Sequence, residues 1–265
     1  MELNHEVVSE APRPSATVVL LRDDRGEGLE VFLLRRHAAS AVLGGAYVFP
    51  GGKLDLADCD AQRVQPFQAD AMLWRDQLAE AQLPLNEVVG LYLAAVREAK
   101  EECGVELSPS QLRPWSRWIT PRQPSVTNRR FDTRFFVASL PAGQEPQHDQ
   151  VEAVESVWFT PQKALQAFWD RQISLAPPQI MTLVSLVAHD TVASALDWAH
   201  ARRPATILPE PFDDEAGVRT ICYPGDARHS VRTRAFAGPT RLRFVDGRFE
   251  PEGGLTALLT PAALS

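Results

Sequence analysis

The sequence predicts an α/β (α+β) fold in which a mixed β-sheet lies between helices. Short strand-like runs alternate irregularly with a few helical stretches, which favours an α/β/α sandwich over a barrel of regular βα units. One segment, residues 86–103, spaces its apolar residues as a helix does and is long enough to cover a sheet face. Near the C-terminus an Asp-Gly pair separates two alternating runs, the strongest short signal for a β-hairpin.

Taken in order, the Pro-punctuated tail MELNHEVVSEAPRPS leads into ATVVLLRD and LEVFLLRR, two strands joined by the turn DDRGEG. AYVFPGGKLD reads as a third short strand running into a Gly-Gly turn, and DAMLWRDQLAEAQL as a helix closed by Pro84. Its apolar residues Met72, Leu73 and Leu78 are expected to pack on the domain. The long helix NEVVGLYLAAVREAKEEC follows, with Asn86 as its expected N-cap and Gly104 as the left-handed residue that ends it. Strands are expected at RPWSRWIT, RRFDTRFFVAS and VESVWFT. PQKALQAFWD opens with Pro at a first helical turn, and IMTLVSLVAHDTVASALDWAHARR is one long helix or a pair. RLRFV-DG-RFEP is the hairpin.

Composition narrows the function classes. A chain of 265 residues with 45% apolar and 23% charged residues, six Trp and twelve Phe has the make-up of a core-forming globular protein. A net charge of −7 gives no help toward a polyanion, so nucleic acid is not an expected partner. No apolar run approaches the length of a membrane span, and the first residues lack the basic and apolar regions of a signal peptide. Cys59, Cys103 and Cys222 are far apart, odd in number and not in metal-ligand spacing, so reduced thiols and a cytoplasmic location are expected.

The chemistry concentrates in the segment 97–105, Arg-Glu-Ala-Lys-Glu-Glu-Cys-Gly-Val. At about 100° per residue, Glu98, Glu101 and Glu102 share an arc of roughly 100°, and Val89, Tyr92, Leu93, Val96, Ala99 and Cys103 lie opposite. Three carboxylates within a turn repel one another, and they sit near the C-terminal end of a helix, where the macrodipole also disfavours anions. A hard divalent cation reverses both penalties, because clustered oxygen ligands suit Mg²⁺ or Mn²⁺. Taken alone, a Glu-Glu pair is more often a solvated acidic face, here helped by Lys100.

The surrounding residues outweigh that bland alternative. Gly52, five residues, the acid Asp58, and later Arg-Glu-Ala-x-Glu-Glu-x-Gly-Val from Arg97 to Val105 resemble the Nudix box. In the family pattern the first acid is Glu and seven residues precede the arginine; here the acid is Asp58, and residues 59–96 intervene. The contact between that acid and the box arginine is therefore either lost or rebuilt. The resemblance implies a Nudix-type α/β/α sandwich with a mixed sheet over residues 1–165, interrupted by an insertion at about 59–90. Residues 166–265 form a helical segment and a strand-containing C-terminal extension, expected to pack on the same domain. It further implies a metal-dependent hydrolase of diphosphate bonds, with Glu98, Glu101 and Glu102 as metal ligands, Arg97 orienting them, and Glu98 or Glu101 taking a proton from water. The Gly51-Gly52 turn would admit phosphate, and Glu152 or Glu155 is the candidate for an acid outside the box.

VFLLRRHAASAVLGGAYVFPGGKLD, the insertion and RRFDTRFFVAS together resemble the Nudix branch of CoA and acyl-CoA diphosphatases, over roughly Ala16 to Leu165. Arg36, Gly45 and Phe49-Pro50-Gly51-Gly52 fit the CoA-specific signature, whereas Ala41 stands where that signature has a second Arg. Arg35, Arg36, Arg130 and Arg134 are the candidates for substrate phosphates, alternation placing Arg35 and Arg36 on opposite faces. Trp115 and Trp118 either stack on adenine or pack in the core. None of the six His has a partner pattern that implies catalysis. Three functions stand: hydrolysis of CoA or acyl-CoA to adenosine 3′,5′-bisphosphate and (acyl-)phosphopantetheine; hydrolysis of another nucleoside diphosphate derivative such as ADP-ribose, a dinucleotide or a modified nucleotide; or binding without chemistry. The intact acidic motif opposes the third. The expected partner is the small-molecule substrate, with neither nucleic acid nor membrane, and a homodimer is left open.

Overall fold

The computed structural model describes residues 3–4, 6–40, 43–125 and 128–260; Ala41 lies outside them. The first strand, β1 (Arg13–Asp24), is buried on both faces from Ala16 to Leu20, which explains why its sequence runs apolar without alternating. It pairs antiparallel with β2 (Gly28–Arg36) and, further along the chain, parallel with β6 (Phe131–Ser139). The remaining strands are β3 (Tyr47–Val48), β4 (Gly51–Lys53), β5 (Arg113–Ile119), β7 (Ala153–Phe159) and β8 (Ala205–Ile207). The sheet runs β3-β2-β1-β6-β5-β8, with β4 added to β1 and β7 added to β2. Parallel pairings at β1–β6 and β5–β8 among antiparallel neighbours make it mixed.

Helices cover both faces. In order they are α1 (Ala61–Val64), α2 (Gln68–Leu78), α3 (Leu85–Cys103), α4 (Pro161–Trp169), α5 (Pro177–Leu186) and α6 (Val192–Ala201), followed near the end by α7 (Gly254–Leu259). On one face Val88, Tyr92, Ala95 and Ala99 of α3 pack with Ala16, Val18 and Leu20 of β1. On the other, Val19 and Leu21 share a cluster with Leu165, Phe168, Ile180 and Leu183 of α4 and α5. A second sheet of β9 (Glu210–Asp213), β10 (Arg219–Cys222), β11 (Arg241–Val245) and β12 (Arg248–Glu250) sends Ile221, Leu242 and Phe249 into that same cluster. At the β11–β12 turn Asp246 and Gly247 both have positive φ (48° and 82°), as a two-residue hairpin loop demands.

Three local expectations are corrected. Ala79, at φ 58°, closes α2 just after Leu78, ahead of Pro84. Pro84 instead occupies the N-cap of α3, which starts at Leu85 rather than after Asn86. In α2, Met72 and Leu73 face outward and are more than half exposed, while Ala71, Trp74 and Leu78 are buried. Trp74 stacks on Tyr92 with ring centroids 4.4 Å apart, so the aromatic pair, not the aliphatic stripe, seats the insertion on α3.

An ionic knot ties the insertion to the sheet. Arg134, 3% exposed, donates from Nε and Nη2 to both carboxylate oxygens of Glu80, and Arg117 reaches Glu80 at 2.8 Å and Asp132 at 2.7 Å. Removing Glu80 would take both of these bonds from the buried Arg134 and leave it Asp132 alone, at 3.0 Å, an acid that Arg117 also engages. Glu80→Ala should therefore cost about 3–5 kcal/mol in urea unfolding, far above the cost of an exposed ion pair.

Candidate active site

The site is built where α3 passes the β4 turn. Gly51 is paired with Thr17 of β1, and its N–H donates to Glu102 Oε2 at 2.8 Å. A Cβ on Gly51 would overlap the backbone of Ala16 and Thr17, so glycine is required there by a close approach, and one on Gly52 would press on the Glu98 carboxylate. Glu98 and Glu102 are thus pressed against the two glycines, their side chains largely withdrawn from solvent. Glu101, one turn on, is 59% exposed.

Arg97 organises this end of the helix. Its Nε and Nη2 donate to the two oxygens of Asp58 at 3.1 and 2.9 Å, although the residues lie 39 positions apart. Its Nη1 donates to Glu98 at 2.8 Å and Glu101 at 3.0 Å, and Nη2 also reaches the Lys53 carbonyl. Asp58 is fully buried in a one-turn 3₁₀ helix, Leu56–Cys59, whose Asp55 N–H bonds back to it. The contact left open by the interrupted motif is rebuilt, and the shorter acid reaches because this turn brings its backbone close. The Asp58 hydrogen bonds push the Arg97 pKa further up, securing a permanent positive charge.

Burial pushes the Glu102 carboxyl up to about 8, with the neighbouring Glu98 and Glu152 adding to the rise and Gly51 N–H and Arg36 opposing it. Glu98 is raised as well, first by burial and then by Glu101 and Glu152, against the pull of Arg97. Glu152 therefore faces the pair. The Asp149 carboxylate accepts the backbone N–H groups of residues 151–153, and its own N–H donates to the Glu102 carbonyl. That turn fixes Glu152 beside the helix; Asp149 carries no motif in the sequence and could have been found only through its Asx-type spacing. Glu155, by contrast, pairs with Arg35 at 3.1 Å.

The four arginines expected at phosphate separate cleanly. Arg36 stands at the carboxylates, 3.7 Å from Glu152, with its Nε buried and without a partner among the described residues. Arg35 points away toward Glu155. Arg130 donates to the Thr120 and Glu10 carbonyls, and Arg134 is committed to Glu80, so neither is brought to the glutamates. Trp115 and Trp118 are both buried: Trp115 packs on Trp198, and Trp118 on Tyr223 and Phe236. On the outer side of α3 an open cleft of about 640 Å³ runs between Arg63 and Phe67 of the insertion and Lys100 and Glu101.

A divalent cation fits the donor chemistry: the carboxylates supply hard oxygens, and the repulsion between Glu98 and Glu102 is only partly met by Arg97 and Arg36. No three His, Cys, Asp or Glu among the described residues stand in a ready ligand cage, and Glu101 is engaged by Arg97 at 3.0 Å.

This arrangement of sheet, helix and glycine turn has a close counterpart. A Nudix hydrolase from Alicyclobacillus acidocaldarius superposes with a TM-score of 0.54 over 72% of this chain and 97% of its own, at 23% identity. The chain has a Nudix fold. Residues 110–186, just beyond the acidic helix, match the family described as NUDT19 Nudix domain. Among curated relatives, acyl-coenzyme A diphosphatase NUDT19 of Xenopus laevis is 26% identical over 59% of each chain, and that of Homo sapiens 27% over 63% of each. The chain thus spans under two thirds of the length of these relatives, and it resembles the acyl-CoA diphosphatase branch of the Nudix hydrolases.

The raised Glu102 pKa has a measurable consequence in metal-free protein. The folded chain holds a proton there that the unfolded chain releases near the usual 4.5, so stability falls as pH rises from about 4.5 through about 8. Glu102→Gln should flatten this slope and raise Tm at pH 8–9, as followed by calorimetry in chelator. A wild-type slope in the variant would mean that Glu102 is not the group responsible.

Proposed function

We propose that this Nudix chain hydrolyses the diphosphate bond of CoA or an acyl-CoA, releasing adenosine 3′,5′-bisphosphate and (acyl-)phosphopantetheine. The observation that carries the chemistry is the Glu98–Glu102 pair held against Gly51-Gly52 by an Arg97 that still grips Asp58 across the interruption. The substrate class rests on the similarity to the acyl-coenzyme A diphosphatases.

Glu98, Glu101 and Glu102 are the proposed ligands of Mg²⁺ or Mn²⁺, with Glu152 as a fourth acid from outside the box. A bound cation would neutralise diphosphate oxygens and acidify a water. The side chains do the rest. Arg97 fixes the rotamers of Glu98 and Glu101 through charge-assisted hydrogen bonds. The bare Gly51-Gly52 backbone lets a phosphate approach without a Cβ in its way, and Arg36, beside Glu152, is the proposed arginine for one of its oxygens. Glu98 or Glu101 accepts the proton of the attacking water; the desolvated position of Glu98 suits it to that task. The reading places the reaction in the cytoplasm, where the three free thiols stay reduced. No helix among the described residues is long and apolar enough to cross a membrane.

The deciding assay offers CoA, acyl-CoA species, dephospho-CoA, ADP-ribose and dinucleotides with Mg²⁺ or Mn²⁺ and identifies products by mass spectrometry. CoA species should have the highest kcat/KM; much faster cleavage of ADP-ribose or a dinucleotide would overturn the substrate assignment. Glu102→Gln should lower kcat about a hundredfold or more, the loss of several kcal/mol of charge stabilisation, and should weaken Mn²⁺ binding read by electron paramagnetic resonance. Arg36→Ala should reduce kcat/KM about tenfold to a hundredfold by removing one charge-assisted contact, while Arg130→Ala should leave it unchanged.

A further inference from the structure

On the sheet face opposite α3, directly behind the glycine turn, lies a chamber of about 200 Å³. Thr17 joins it to the glutamates: the residue lines the chamber, and a side chain at its strand partner Gly51 would overlap Thr17 Oγ1. Gly51 in turn donates to Glu102. One strand pair therefore separates the chamber from the carboxylates. Its walls are mostly apolar, with Trp118 and Phe135 from the sheet and Phe249 from the C-terminal extension, and no charged side chain lines it among the described residues.

Two of its wall residues carry unmet polar atoms. Gln179, on the first turn of α5, is 7% exposed and its Oε1 has no hydrogen-bond partner among the described residues; Ser125 is 8% exposed and its Oγ has none among them either. A buried oxygen without a donor carries a desolvation penalty, which a ligand that supplies donors would lift. A phosphate does not fit, since the chamber offers it no cation. A neutral, largely apolar group with N–H donors does.

We infer that this chamber holds the uncharged, N–H-bearing end of the substrate, and that Gln179 and Ser125 determine specificity by hydrogen-bonding it. The inference rests on the diphosphate-hydrolase reading only for what the group is attached to. Two ends of the proposed substrate share the required chemistry: the adenine ring and the amide-bearing pantetheine arm. In either case the diphosphate lies round the edge of β4, and a wall of the binding site is supplied by α5 and the C-terminal extension, outside the acidic motif.

The test uses the full chain in chelator, with adenosine and pantetheine as separate probes and tryptophan fluorescence as the readout. One probe should give a saturable change that disappears in Trp118→Phe and weakens about tenfold in Gln179→Leu and measurably in Ser125→Ala. Gln179→Leu fills similar space and removes an unmet oxygen, so it should fold at least as stably as wild type; Ser125→Ala tests the same point by a smaller change. Saturation by adenosine assigns the chamber to the base, and saturation by pantetheine to the arm. No saturable change with either probe, or unchanged affinity in both variants, overturns the inference. CoA hydrolysis measured in parallel separates the two readings: normal turnover with no chamber binding leaves the enzymatic proposal standing alone, whereas Gln179-dependent binding without turnover leaves the chamber standing alone.

Discussion

The grip of Arg97 on Asp58 is the contact on which the acidic end of α3 depends. A guanidinium with five donors serves four acceptors here: the Asp58 carboxylate, Glu98, Glu101 and the Lys53 carbonyl. It neutralises part of a charge cluster that helix physics disfavours, and it ties that helix to the loop carrying Gly51 and Gly52. A lysine, with three donors on a single nitrogen, could not span this planar set, so the residue type follows from geometry as much as from charge.

The same contact explains how an insertion can sit inside the motif without dismantling it. Residues 59–84 leave the 3₁₀ turn and fold as α1 and α2 against α3, and the chain re-enters the motif through the helix itself. Two separate fastenings hold the insertion: Trp74 on Tyr92 at the apolar side, and Glu80 on Arg134 and Arg117 at the polar side. The loop half and the helix half of the motif are thereby brought together in space although they are separated in sequence.

Much of this was legible in the residues. The apolar run of β1, the helical spacing of α3, the left-handed Gly104 and the Asp-Gly hairpin each follow from a local rule, and the elements formed where those rules placed them. What was not legible depends on distant partners. Nothing in the sequence near Arg134 announces that Glu80 will claim it, and Arg130 reads the same whether it meets phosphate or the Glu10 carbonyl. Arg35 and Arg36 were separable only as a pair on opposite faces; which one meets the glutamates is decided by the neighbouring strand β7, where Glu155 takes Arg35. The helix boundaries missed around Pro84 have a similar cause. Ala79 adopts a left-handed conformation that its residue type disfavours, because the chain must turn there to deliver Glu80 to the sheet.

The strand order also governs how the chain must assemble. β1 is central, yet its parallel neighbour β6 begins at Phe131, and the cluster beneath β1 is completed by Ile221, Leu242 and Phe249 near the end of the chain. During synthesis the hairpin of β1 and β2 emerges with both outer edges unpaired and both apolar faces bare; α3 can cover one face by residue 103, whereas the other waits for α4, α5 and the extension. Loop closure over such separations makes folding slow and leaves a sticky intermediate. The Arg22–Glu30 ion pair on that hairpin, and the charged Asp-Asp-Arg-Gly-Glu turn beside it, are the charges positioned to keep the nascent strands from pairing with a neighbour's. The extension thus completes the cluster beneath β1, and truncating it would expose a folding chain rather than trim a finished one.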